Sequence, residues 1–342
     1  MQMREPTFEQ AYQVLLLQAA GEGRGPLLFG DSLERAGEAV LPFLVGESFP
    51  DVYLEHPLLG DPFLDVTVLF GPVEPGTRIE SPAAGDHAAM LDWFARARGL
   101  NDAISFGFEV DTKEERLPVS AVHFQPRVYT ELVRPFCEAA GEPQAAELYL
   151  ALAERMPKSW PLSFFGMFRG RPCAPLRVCG YLAPREREEC AVDPDHLAAA
   201  FDTVGFSAYN DAMLSQVSAL MAAAPGCVDF QFDVYPDGSI GHTFAIDVQF
   251  GVEQPKAVWA SFDHGPGWGV MNLLEQWGAA DSRWKASVQA AFARALPIET
   301  AVGERGLYAF SIMPQWVKAR WINGLLQPAK LYHLAHSGLL DR

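Results

Sequence analysis

The sequence predicts an α+β protein in which about five helix-helix-strand-strand repeats close into a ten-stranded antiparallel β-barrel ringed by outer helices. Three observations lead there. Helical periodicity gives way five times to two short strands joined by a turn. Those strands alternate apolar and polar residues, so each has one face that packs and one that does not. Two stretches, Ser163 to Tyr181 and Gln315 to Tyr332, share a strand, a Gly-containing turn, a Pro, a base two residues later and a closing aromatic, as diverged copies of one unit would.

The first unit has helical patterns at 7–20 and 33–45, then strands at 51–56 and 63–70 with Gly60 and Asp61 in the turn. The second has a single helix at 86–98, with Asp86 as its cap, before ISFGFEV, the charged turn DTKEERLP and SAVHFQ. Helices at 127–141 and 143–156 precede the third hairpin, and helices at 195–203 and 209–223 precede the fourth. The fourth turn, YPDGSIG, is the strongest hairpin signal in the chain, because Asp-Gly tolerates the positive φ angles of a tight turn. Helices at 269–277 and 282–296 lead into the fifth. Short connections make the paired strands antiparallel, and the intervening helices are long enough to cross one face of the sheet. Ten strands exceed what an open twisted sheet usually holds, so closure removes the edges and leaves the helices outside.

Side-chain parity assigns the two faces. Val228, Phe230, Phe232 and Val234 oppose Asp229, Gln231, Asp233 and Tyr235, and Phe244, Ile246, Val248 and Phe250 oppose Thr243, Ala245, Asp247 and Gln249. With helices covering the apolar side, the polar faces line a wide interior.

Composition narrows the function classes. The 342 residues show no linker or low-complexity run, with 26 Pro and 29 Gly placed singly at turns, which predicts one domain over 1–342. A formal charge of −17 opposes a nucleic-acid partner, which needs a broad basic face. Five cysteines without a CxxC pair fit reduced thiols and hence the cytoplasm. No long uncharged apolar run predicts a signal peptide or a membrane span. No GxGxxG, GxxxxGK[ST], GxSxG or HExxH pattern occurs, and no DDxxD-like run as in helical terpene synthases.

Five antiparallel hairpins, each preceded by helices, resemble the ABBA-type aromatic and peptide prenyltransferases over nearly the whole chain. The resemblance implies transfer of an isoprenoid from its diphosphate to an aromatic small molecule or peptide side chain inside the barrel. Such chemistry needs cations around the leaving group and an aromatic wall that shields the allylic cation from water. Inward parity puts Arg177, Cys179 and Tyr181 together, Trp316, Lys318 and Arg320 together, and Lys330 with Tyr332. A diphosphate clamp of Arg177, Lys318, Arg320 and Lys330 follows, joined by Arg169 and capped by Tyr181 and Tyr332. For the acceptor, hairpins one and two offer Glu55, Asp65, Glu109, Asp111 and His123; in indole-modifying members a glutamate on an early strand binds the indole N–H, a role that Glu109 or Glu55 matches. These two are the candidate catalytic residues, taking up the proton lost after attack.

Asp229, Asp233 and Asp247 read as partners for the bases of hairpins three and five, with a magnesium ion presenting the diphosphate as the alternative, so no cofactor is required and no metal ligand is assigned. His242, His333 and His336 lack a metal-binding pattern. Two other readings stand beside this one: a barrel that binds a small hydrophobic or peptide ligand without chemistry, and a different enzyme on a five-repeat scaffold, such as the guanidine-modifying penteins. The penteins need a late nucleophilic Cys, whereas the last one here is Cys227.

Overall fold

The computed structural model describes residues 3–43, 50–70, 90, 93–94, 96–97, 104–113, 119–126, 129–168, 175–251, 255–300 and 303–340. Arg169, Cys173 and most of the expected helix at 86–98 lie outside the described residues, although residues 90, 93–94 and 96–97 of that helix are helical. Thirteen strands are described: β1 Met3–Arg4, β2 Asp51–Pro57, β3 Asp65–Phe70, β4 Ser105–Val110, β5 Val119–Gln125, β6 Leu162–Met167, β7 Leu176–Tyr181, β8 Val228–Val234, β9 Ile240–Gln249, β10 Phe292–Glu299, β11 Arg305–Ile322, β12 Leu325–Leu326 and β13 Lys330–Leu339.

Ten of these close into an antiparallel barrel in the order β2-β3-β4-β5-β6-β7-β8-β9-β11-β13, with β13 returning to β2. The seams that close it are Lys318 opposite Asp247 between β11 and β9, and Tyr332 opposite Glu55 between β13 and β2. Helices cover the outside, among them Phe8–Ala20, Pro143–Arg155, Pro194–Val204, Asp211–Ala223 and Pro266–Gln276.

Turn chemistry sets the hairpin registers. Gly238 takes φ +80° in the fourth turn, where the Tyr235 amide donates to the Ser239 carbonyl at 2.9 Å. In the fifth hairpin Asn323 and Gly324 adopt φ 51° and 73°, the two consecutive left-handed residues of a tight β11-to-β12 turn, from which the chain runs on into β13.

The fifth unit departs from expectation. The helix predicted at 282–296 stops at Gln289, and Phe292–Glu299 forms β10, paired along its length with the first half of β11. Pro297 disfavours helix for the residue before it, and the ladder with β11 supplies the backbone partners that a continuing helix would have supplied. Strand β11 thus begins ten residues before Gln315; its first half lies in a lip with β1 and β10, its second half in the barrel. The register shift between Pro314 and Trp316 marks the crossing, where a residue without an amide hydrogen costs no ladder bond. Two further helices, Pro184–Val192 and Pro255–Phe262, add to units four and five. The first is too charged to show an apolar stripe in sequence.

The core lies between the barrel wall and the helices. Val228, Phe230, Phe232 and Val234 are at most 1% exposed, and Phe230 and Phe232 pack on Trp160 at ring separations of 4.9 and 6.4 Å. A second aromatic cluster, Phe106, Phe124, Phe136 and Phe165, seals β4 to β6 beneath their helices, with Phe124 stacked on Phe136 at 4.1 Å. Each buried ring contributes about 1.5–3 kcal/mol by area. Gly180 sits on the same outward face of β7, where a Cβ would run into the Pro161 carbonyl and the Phe230 ring. Gly180→Ala is therefore expected to cost about 1–3 kcal/mol, measurable as a lowered midpoint in urea.

Candidate active site

Parity places the polar faces of all five hairpins around the lumen, and two overlapping chambers run through it. One, of about 440 Å³, is lined by Lys113, Arg177, Lys318, Arg320 and Lys330 together with Phe63, Asp61 and Asp65. The other, of about 330 Å³, is lined by Tyr53, Phe164, Phe168 and Trp316, with His123, Asp229 and Asp247. Glu55, Glu109, Arg177, Gln231, Lys318 and Tyr332 belong to both walls. The bases thus cluster towards one end and the aromatic rings towards the other.

Every clamp base with a described ion pair is held by a lumen carboxylate. Arg177 grips Asp233 through Nε and Nη2 at 2.9 and 3.4 Å and lies 4.5 Å over Phe168. Lys318 Nζ stands 3.8 Å from Asp247 and 4.9 Å over the Tyr332 ring. Lys330 donates to Glu55, lies 3.5 Å from Asp65, and faces Phe63 at 5.2 Å. Tyr332 stands opposite Glu55 across β13 and β2 and stacks on Trp316 at 5.1 Å, and Tyr53 leans on Trp316 at 4.8 Å. The acid-rich fourth hairpin therefore meets the bases of hairpins three and five, and amides fill in: Gln231 donates to Asp247, and Gln249 donates to Asp229 at 2.7 Å.

The two acceptor-side glutamates differ. Glu55 is locked into the Lys330 contact; burial pushes its carboxyl up, but Lys330 and Lys318 pull it below the usual carboxylate range. Glu109 takes His123 Nε2 at 3.3 Å and the Ser120 hydroxyl at 3.4 Å.

Not every sequence candidate converges. Tyr181, at the end of β7, is 48% exposed and lines neither chamber; its strand leaves the barrel there for the helix starting at Pro184. His333 turns outward, stacks on His56 at 5.5 Å and bonds Ser287, with burial lowering its imidazole to about 4. His242 is exposed. Parity misses Lys113, which reaches the lumen from a turn where no period exists; Tyr53, two residues before Glu55, and Phe63, two residues before Asp65 in the strand expected at 63–70, share the inward parity of those acids and were legible.

Burial raises several lumen acids. Asp229 rises to about 7 through burial and the nearby Asp247, Asp65 to about 7 through burial against the pull of Lys330, and Asp247 to about 6 through burial against Lys318. A carboxyl whose folded pKa is raised stabilises the fold at pH values below its unfolded pKa, and that contribution is lost as pH rises through the folded value. The buried His56 and His333, lowered by burial, run the other way. The difference between variants isolates the acid: the melting advantage of Asp229→Asn over the wild type is expected to be larger at pH 8 than at pH 5, by differential scanning calorimetry.

No family model matches the chain, and no curated protein matches it by sequence. Solved structures do match. The apo form of the prenyltransferase PriB superposes with a TM-score of 0.53 at 12% identity, over 97% of this chain and 96% of that one. 5-Dimethylallyltryptophan synthase from Streptomyces coelicolor gives 0.52 at 12% identity, over 96% and 97%. A ternary complex of PriB with L-tryptophan and dimethylallyl thiolodiphosphate gives 0.51 at 12% identity, over 97% and 96%. The fold of this chain is the ABBA barrel of those prenyltransferases.

Proposed function

We propose that the chain is a prenyltransferase that moves an isoprenoid from its diphosphate to an aromatic acceptor in the lumen. The observation that carries this reading is the gathering of Arg177, Lys318, Arg320 and Lys330 in one chamber that adjoins an aromatic one. Solved neighbours of the same fold are prenyltransferases, one of them holding L-tryptophan and a dimethylallyl diphosphate analogue, which supports the same assignment.

In this mechanism the diphosphate displaces the lumen carboxylates as partner of the bases. Bringing a polyanion beside Asp65, already raised by burial, favours its protonation and loosens one of the two carboxylate contacts of Lys330, while Lys318, 3.8 Å from Asp247 and beyond hydrogen-bond reach of it, turns to the diphosphate. The allylic C–O bond breaks, and the diphosphate leaves with the electron pair and the added charge, which the four bases hold. Tyr53, Trp316 and Tyr332 present ring faces to the allylic cation and exclude water. An electron-rich ring atom, or a heteroatom, of the acceptor supplies the electron pair of the new bond. The proton it loses passes to Glu109, which His123 and Ser120 hold in place. Glu55, pulled down by Lys330, is the weaker base and positions the clamp.

Asp229 and Asp247 are the residues that would hold a magnesium ion, but their engagement with Gln249, Gln231 and Lys318 favours action without a metal. The one described Glu, Cys and His group with metal-ligand spacing, Glu186, Cys190 and His196, lies on two outer helices and offers a soft thiol that suits magnesium poorly. Among the described residues no helix is long and apolar enough to cross a membrane, and buried Cys137, Cys179 and Cys190 are free thiols, which supports a cytoplasmic setting.

A barrel that binds ligand without chemistry is the second reading, favoured by the completeness with which carboxylates already neutralise three of the bases. Thermal shift with dimethylallyl, geranyl and farnesyl diphosphates in EDTA, repeated with magnesium, tests both. At a hundredfold excess over Kd, stabilisation of about 2.7 kcal/mol is expected from at least one of them. A flat response to all three sinks the proposal; binding without a prenylated product by mass spectrometry leaves the binding barrel.

A further inference from the structure

The aromatic chamber has a charge problem that a prenyl chain does not solve. Glu55, Glu109, Asp229 and Asp247 line it with Arg177 and Lys318; Arg177 is committed to Asp233 and Glu55 to Lys330, both partners belonging to the other chamber, so Glu109, Asp229 and Asp247 face Lys318 there. Two buried oxygens in its wall have no hydrogen-bond donor among the described residues: Gln231 Oε1 and Asp247 Oδ1, on residues 3% and 4% exposed. The nearest described cation to that oxygen of Asp247 is Lys318 Nζ, at 3.8 Å, beyond hydrogen-bond reach. Buried acceptors left without donors are costly, so an occupant that supplies donors is favoured there.

Beside those acceptors stand the faces of Tyr53, Trp316 and Tyr332, spaced 4.8 and 5.1 Å ring to ring. Resting on the prenyl-transfer reading above, we infer that the acceptor is an aromatic amine without a carboxylate, an arylalkylamine whose ammonium docks between Asp229, Asp247 and Gln231 while its ring lies against the aromatic wall. An ammonium brings three donors and no acceptor, so it meets both orphaned oxygens and adds cation–π attraction to the rings. A free amino acid would also bring a carboxylate beside Glu109, Asp229 and Asp247, and like charges buried together are strongly unfavourable. Trp316 Nε1, a third buried atom without a partner, is a donor that a neutral hydroxyl or carbonyl oxygen satisfies. Asp229 and Asp247 face each other across β8 and β9, and a cation between them relieves the mutual repulsion that their pairing imposes.

Calorimetric titration of the full chain in EDTA, with and without dimethylallyl thiolodiphosphate, decides the matter using tryptamine and tyramine against tryptophan, tyrosine and 3-methylindole. The amines are expected to bind at least tenfold more tightly than both the matching amino acids and the neutral ring. Asp247→Asn and Asp229→Asn, each verified as folded by its melting curve, are expected to erase that preference. Equal or tighter binding of the amino acids, equal binding of 3-methylindole, or an amine preference that survives both substitutions overturns the inference. The two readings fail separately: prenyl diphosphates that bind without an amine preference refute only the acceptor class, whereas amines that bind beside inert prenyl diphosphates refute only prenyl transfer.

Discussion

Lys318→Ala is expected to weaken prenyl diphosphate binding by about 10- to 100-fold and to lower the transfer rate by about 100- to 1,000-fold, with the fold retained. Lys318 is placed for the largest effect among the bases, because like Arg177 it belongs to the walls of both chambers but its pairing with Asp247, at 3.8 Å, is looser than that of Arg177 with Asp233, at 2.9 Å, which leaves it freer to take the diphosphate. Its loss removes a cation where leaving-group charge develops and leaves Asp247 as an uncompensated buried carboxyl. Lys318→Arg keeps the charge and is expected to recover part of the affinity. The thermal shift with dimethylallyl diphosphate and single-turnover transfer read the two effects; unchanged affinity in the Ala variant removes Lys318 from the clamp.

Glu109→Gln is expected to reduce turnover by about 100- to 10,000-fold while leaving the diphosphate-induced thermal shift in place. The amide keeps the size of the side chain and its contacts with His123 and Ser120 but cannot take a proton from the acceptor ring. Glu55→Gln should behave differently. It removes the carboxylate charge that Lys330 pairs with, so its effect should fall on diphosphate affinity and melting temperature more than on turnover. If Glu55→Gln abolishes turnover with affinity intact and Glu109→Gln is nearly silent, the base is Glu55 and the assignment of the two glutamates is reversed.

Much of the barrel is legible in the chain because strand parity and turn chemistry are local properties. Val228, Phe230 and Phe232 point to the helices and Asp229, Gln231 and Asp233 to the lumen, as a period of two requires, and Asp237-Gly238 sets the hairpin that joins them to β9. Locality also explains the misses. Helical periodicity at 282–296 says nothing of a partner strand 20 residues on, and only the ladder with β11 decides that Phe292–Glu299 is extended. Inward parity was correct for Arg177 yet did not carry Tyr181, on the same strand, into either chamber, because parity cannot say where a strand leaves the wall. Lys113, on a turn, carried no signal at all.

The sequence by itself determined the ten barrel strands, their faces and the residue types that share the lumen, since each rests on alternation and turns read within a few residues. Which base meets which carboxylate was decided only by closure: Lys318 beside Asp247, Arg177 on Asp233 and Lys330 on Glu55 join residues up to 275 positions apart. Barrel registry and the low dielectric of the enclosed space set those pairings, the raised acids and the donor-poor oxygens, and none of these exists until the wall is complete.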